Sequence, residues 1–156
     1  MREVEIKLEN GADLPQYQTE KSSGMDLYAW KYSFPDNLGK VYDFKGEVLL
    51  ESLDRILVKT GISCKLLENL EFQVRPRSGL SIKNGIVAQL GTIDEDYTGD
   101  IGLIIINLSK EPFIIKKGDR LGQIVACNVE KVKWKVVDKL EKNLHRGNNG
   151  FGHTGK

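Results

Sequence analysis

No stretch of this chain sustains a 3.6-residue apolar period for long, whereas short apolar runs recur along it between glycine-bearing turns. Val4, Ile6 and Leu8 alternate with charged or polar neighbours, and Phe72 and Val74 alternate into a turn at Arg75–Pro76. Residues 48–50, 56–58, 113–115 and 121–129 supply further short apolar runs. Residues 101–106 are continuously apolar apart from Gly102, which predicts a strand buried on both faces. Sixteen glycines punctuate the sequence, several in turn signals such as Asn84-Gly85 and Lys117-Gly118-Asp119. Only residues 137–144 leave room for a turn or two of helix. Many short strands with regular turns predict an all-β chain, a sandwich or a jelly-roll-like β-barrel.

At 156 residues the chain suits one domain with a single core. Its 23 basic and 22 acidic residues nearly cancel, so no long-range field draws it to nucleic acid or to a membrane. Any phosphate it binds must be held by a local site. No apolar run is long enough to span a bilayer, and residues 2–5 are charged rather than signal-like, which predicts a soluble, cytoplasmic protein. Cys64 and Cys127 match no metal spacing and sit in or beside strand-like segments, so both are expected to be buried thiols. The sequence changes character near its end. A barrel domain over residues 1–142 is expected to give way to a glycine-rich arm over 143–156, which on composition alone reads as a frayed tail.

Five segments combine glycine and charge inside strand-like sequence: SSGMDLYA at 22–29, RPRSGLSIKNGI at 75–86, GTIDEDYTGDIG at 91–102, KGDRLGQ at 117–123 and RGNNGFGHTG at 146–155. In this order they resemble the five motifs of the trimeric dUTPase family, and the resemblance covers essentially the whole chain. It implies hydrolysis of dUTP to dUMP and pyrophosphate, which limits uracil incorporation into DNA and supplies dUMP for thymidylate synthesis. A nucleoside triphosphate is a polyanion, and its hydrolysis is catalysed mainly by positioning and charge neutralisation. Arg77, Ser78 and Gly79 offer a guanidinium, a hydroxyl and closely approachable backbone N–H groups, and the resemblance makes them phosphate ligands. An isolated Arg-Ser-Gly is also an ordinary surface turn. Gln123 resembles the family glutamine that contacts a phosphate, while Asp119 and Arg120 read equally well as turn and support.

The resemblance further implies that residues 91–102 form a hairpin whose backbone, near Gly91 and Gly102, reads uracil. Tyr97 would lie under the deoxyribose, and Asp94 would activate the attacking water. Asp94, Glu95 and Asp96 form one acidic run, and only the family position singles out Asp94. Asp26, in a strand-like stretch, would need a cationic partner if buried. The resemblance places it at a Mg²⁺ site, acting through water, as suits an ion held largely by substrate phosphates. In the arm, Arg146 corresponds to a γ-phosphate ligand, Phe151 to a ring stacking on uracil, and Gly152 and Thr154 to phosphate contacts. These matches turn the expected tail into a mobile lid. The family is homotrimeric, with each active site shared among three chains.

Four departures accompany the match. His153 stands where serine is usual, Asn149 where glycine is usual, and Gly122 where alanine is usual, and residues 30–54 are longer than the usual connection. That insertion reads as a longer surface hairpin or as a partner contact. The related dCTP deaminases carry a glutamate base at the position of Ile104, which disfavours deamination here. A regulatory nucleotide-binding module would have dispensed with Asp94, Arg146 or Phe151, and all three are present.

Overall fold

The computed structural model describes residues 2–140. Among them the strands are, in chain order, β1 (Glu5–Leu8), β2 (Gln16–Tyr17), β3 (Met25–Tyr28), β4 (Lys31–Ser33), β5 (Tyr42–Asp43), β6 (Glu47–Leu50) and β7 (Arg55–Lys59). They continue as β8 (Ile62–Lys65), β9 (Leu70–Arg75), β10 (Ile86–Ala88), β11 (Gly91–Ile93), β12 (Gly102–Asn107), β13 (Phe113–Lys116) and β14 (Arg120–Asn128). One sheet runs β11-β9-β14-β3-β2 and another β10-β12-β7-β4-β5, flanked by the pairs β1-β8 and β13-β6. Every pairing is antiparallel, and most join strands distant in sequence, as in a jelly roll.

The core lies between the two large sheets. Phe72 and Val74 of β9, Ile124 of β14 and Leu27 of β3 meet Ile56 and Val58 of β7 and Leu103 and Ile105 of β12. Each such side chain removed from water stabilises the fold by about 1.5–3 kcal/mol. The expectation that residues 101–106 form a strand buried on both faces does not hold. Leu103 and Ile105 are fully buried, but Ile104 between them is 46% exposed. A continuous apolar run cannot say which of its faces a second sheet will cover, and among the described residues only one is covered.

Two further expectations need correction. Cys64 is buried, and burial pushes its thiol pKa up, but Cys127 is only half-buried, with its sulfur 3.6 Å from Nη2 of Arg75. Strand alternation puts Cys127 on the face of Gln123 and Val125, opposite to the face by which Ile124 enters the core. Residues 137–140 are not helical. A helix occurs instead at α1 (Ser78–Asn84), closed by Gly85 in the left-handed conformation, φ +68°, whose N–H donates to the Ser81 carbonyl. Residues 129–140 carry neither strand nor helix.

The long 30–54 stretch forms the β4–β5 hairpin at a sheet edge and continues into β6. Tyr32 stacks on Tyr42 with ring centroids 5.5 Å apart, and Phe34 and Phe44 pack around them. Aromatic clustering thus stabilises a hairpin too short to hold its register by backbone bonds alone.

Candidate active site

Asp26 sits in the middle of β3, directly across from Gln123 on β14, which in turn faces Arg75 at the end of β9. Two residues beyond β9 the chain reaches Arg77 and then α1. Antiparallel register therefore brings segments from three distant parts of the sequence to one end of one sheet. They line a single cleft of about 560 Å³, walled by Asp26, Arg77, Ser78, Gly79 and Gln123 with Gln18, Ser22 and Lys83 around them.

Within this cleft Asp26 is 7% exposed, so its carboxylate needs compensation. Nε of Arg77 lies 3.3 Å from its Oδ1, and Nη1 of Arg120 lies 3.2 Å from its Oδ2. Arg120 also donates to Gln18 Oε1 at 2.9 Å, and Arg77 Nη1 donates to the Arg120 backbone carbonyl at 2.6 Å. Arg120 was ambiguous in the sequence, and the structure makes it the second cation on Asp26. The signal was available, since a carboxylate inside a strand requires charge from elsewhere. Gln123 donates to the Pro76 carbonyl at 2.9 Å and packs against Gly24, where any Cβ would overlap its amide.

Gly79 has the opposite character. A Cβ there would meet nothing within 4 Å, and its φ lies outside the left-handed region. Nothing in the packing of the described residues requires glycine at this helical position, where glycine weakens a helix relative to alanine. Ser78 and Gly79 begin α1, and their N–H groups have no intrahelical acceptor. The open space above Gly79 leaves these donors approachable from the cleft.

The sequence profile of the dUTPase family matches residues 41–155. A deoxyuridine 5'-triphosphate nucleotidohydrolase of Fusobacterium nucleatum subsp. nucleatum is 42% identical over 160 residues, spanning all of both chains. One of the same description from Rickettsia canadensis is 43% identical over 152 residues, covering 96% of this chain and 93% of that protein. The chain belongs to the dUTPase family.

The fold agrees with that membership. The dUTPase of Staphylococcus bacteriophage 80alpha, in a point variant solved with dUpNHpp, superposes with a TM-score of 0.78 over all of both chains at 23% identity. A variant of the phage phi11 dUTPase, solved to show coordination of a structural Mg(II) ion, gives 0.74 at 21% identity, covering 90% of this chain and all of that one.

The remaining candidate residues of this dUTPase-family chain lie elsewhere. Gly91, Asp94, Tyr97 and Gly102 do not line the cleft around Asp26. Residues 91–102 also depart from the expected hairpin. β11 pairs with β9 in one sheet and β12 with β7 and β10 in the other, so the segment crosses between sheets through a turn in which the Tyr97 N–H donates to the Asp94 carbonyl at 3.1 Å, and its flanking strands do not pair with each other. Gly91, Asp94 and Tyr97 are exposed and Gly102 is half-buried. Within the acidic run, Glu95 is already engaged. Its Oε2 accepts from the backbone N–H of Asn69 at 2.9 Å, next to Lys131 Nζ at 3.8 Å. Asn69 has positive φ, so Glu95 fastens a strained turn. Arg146, Phe151, Gly152 and Thr154, with His153 and Asn149, lie outside the described residues.

Proposed function

We propose that this chain hydrolyses dUTP to dUMP and pyrophosphate, as a homotrimer whose sites are each shared among chains. The observation that carries the reading is the cleft in which Arg77, Ser78, Gly79 and Gln123 surround Asp26, with room above Gly79 that the fold itself does not use. Arg77 and Gln123 would hold phosphate oxygens, and charge-assisted hydrogen bonds of this kind are the strong ones. Asp94, exposed on the crossing segment, would orient a water toward the α-phosphorus and take its proton. The new bond joins the water oxygen to that phosphorus, the bond to the bridging oxygen breaks, and pyrophosphate leaves. Backbone groups near Gly91 and Gly102 would read the uracil edge. A base lacking the matching donors would leave buried groups unpaired and be rejected strongly. Tyr97 would lie under the sugar, where a ribose 2′-hydroxyl clashes. The arm, residues 143–156, would close the site through Arg146, Phe151, Gly152 and Thr154 and exclude water.

The donor set is compatible with Mg²⁺ in one respect. Among the described residues no cluster of three His, Cys, Asp or Glu side chains forms a cage, and the single buried carboxylate, Asp26, has both oxygens engaged by arginines. That suits outer contact through water to an ion held chiefly by phosphates, where it would neutralise charge on the triphosphate.

Sharing between chains rests on two features. The outer face of β12 presents Ile104, 46% exposed, beside Leu57 of β7. Val132, Trp134 and Val136, at 73%, 88% and 93% exposed, alternate with lysines in a strand-like pattern that has no neighbouring strand within the described chain. Both are apolar surfaces that further copies would cover. Ile104 also occupies the position of the deaminase glutamate, so turnover of dCTP to dUTP is not expected. Pyrophosphate release from dUTP, dCTP, dTTP and UTP with Mg²⁺ tests the proposal. Strong preference for dUTP is expected, and equal rates on UTP or deamination of dCTP would overturn it.

A further inference from the structure

Tyr97 is anchored through a chain of contacts that reaches the turn between β7 and β8. Its phenol O–H donates to the backbone carbonyl of Asp100 at 2.9 Å. Its ring lies against Gly99, where a Cβ would come within 2.6 Å of Cζ, so that glycine makes room for the ring. Ile101, which follows Asp100, is fully buried and pinned on both sides. Its N–H donates to the Ile62 carbonyl at 2.8 Å. Its carbonyl accepts twice from Thr60, from the N–H at 3.2 Å and from the hydroxyl at 2.6 Å. Thr60 is itself completely buried. The Asp100 side chain, 22% exposed, faces Lys59 with Nζ 3.7 Å from an Oδ1 that makes no hydrogen bond. Burial pushes the Asp100 carboxyl up, and the Lys59 charge together with the nearby backbone N–H groups of Gly61 and Thr60 opposes this.

We infer that Thr60 and Asp100 are positioning residues that fix the height of the Tyr97 ring, and that through it they set the preference for deoxyribose over ribose. The inference rests on the proposed reading of Tyr97 as the floor beneath the sugar. Thr60 holds the backbone at Ile101 from below, and the Asp100–Lys59 pair ties the intervening residue to the same turn. The Asp100 carbonyl then presents the acceptor that holds the phenol. A ring so fastened cannot drop away to admit a 2′-hydroxyl. A threonine that merely stabilised the turn would affect both substrates alike.

The test is the ratio of kcat/KM for dUTP to that for UTP, which does not change with the fraction of folded enzyme. Thr60→Val keeps the shape and removes the hydroxyl, Asp100→Asn removes the charge facing Lys59, and Tyr97→Phe keeps the ring and removes its anchor. Each is expected to lower the ratio about two- to tenfold, the worth of one modest hydrogen bond or ion pair. Thr60→Ser, which retains the donor, should restore it to within about twofold. Tyr97→Ala should collapse the ratio. If Tyr97→Ala left it unchanged, the reading of Tyr97 itself would fail. If Tyr97→Ala lowered it while Asp100→Asn, Tyr97→Phe and any folded Thr60→Val did not, the sugar floor would stand and the positioning role of the turn would be overturned.

Discussion

The cleft around Asp26 and the crossing segment at 91–102 carry the two halves of the proposed chemistry, and they are built in opposite ways. In the cleft, charged side chains already hold one another. Asp26 is enclosed by Arg77 and Arg120, and Gln123 is fixed against Gly24 and Pro76. On the crossing segment, Gly91, Asp94 and Tyr97 face outward. What is fixed there is the backbone, through Glu95 at one end and through Ile101 and Thr60 at the other, with the Tyr97 phenol held to that backbone at the Asp100 carbonyl. Among the described residues the first half is held together by its own side chains, whereas the second leaves its groups exposed, which is what the proposed sharing between subunits requires.

The sharpest break in that comparison is at Asp94. Asp94→Asn should leave melting temperature and oligomer mass unchanged and lower kcat about 10²- to 10⁴-fold, the cost of one positioned base. Asp96→Asn should retain turnover. Glu95→Gln should instead lower thermal stability, because it weakens the bond to the Asn69 N–H. Full activity in Asp94→Asn would detach the crossing segment from the chemistry.

Next in size is Arg77→Ala. It removes a guanidinium from the phosphate side and should weaken triphosphate binding by about 1.5–3 kcal/mol, read as a rise in KM. Mixing decides whether the two halves come from different chains. At dUTP well below the raised KM of Arg77→Ala, where that protein and Asp94→Asn each turn over little substrate alone, co-refolding them in equal amounts should restore about a quarter of wild-type activity, since about that share of sites then takes both intact halves. No recovery would place both halves on one chain.

A smaller effect distinguishes ligand from fold within the cleft. Gly79→Ala meets no atom of the described residues and removes a helix-weakening glycine, so the melting temperature should hold or rise while KM for dUTP increases. A fall in stability would mean that Gly79 serves the fold after all.

The smallest concerns Asp100. Its folded pKa lies above the ordinary value of 3.8, chiefly through burial, so folding favours the protonated form. That contribution to stability is fully present below pH 3.8 and is lost as pH rises through the raised folded value. Relative to Asp100→Asn, which does not titrate there, the wild type should lose stability across this window. Urea midpoints measured at several pH values check the sign.

Particular residues show how far the sequence was legible. Alternation at Phe72 and Val74, and glycine turns such as Asn84-Gly85, announced strands, because pleat periodicity is written in neighbouring residues. The five motif segments announced the family, and a buried Asp26 announced a cation without saying which. Helix α1 was hidden because seven residues are too few for a helical period to stand out.

The sequence by itself determined the all-β class, the family, and the residue types available to bind a triphosphate. These follow from local periodicity and from short motifs, neither of which depends on distant contacts. Only the tertiary structure decided that Asp26 is shared by Arg77 and Arg120, that residues 91–102 join two sheets, and that Ile104 faces outward while Leu103 and Ile105 fill the core. Each of these depends on which distant strand lies alongside. Antiparallel register is set by burial of one whole face against another, a property of the assembled sheets that no local stretch of sequence contains.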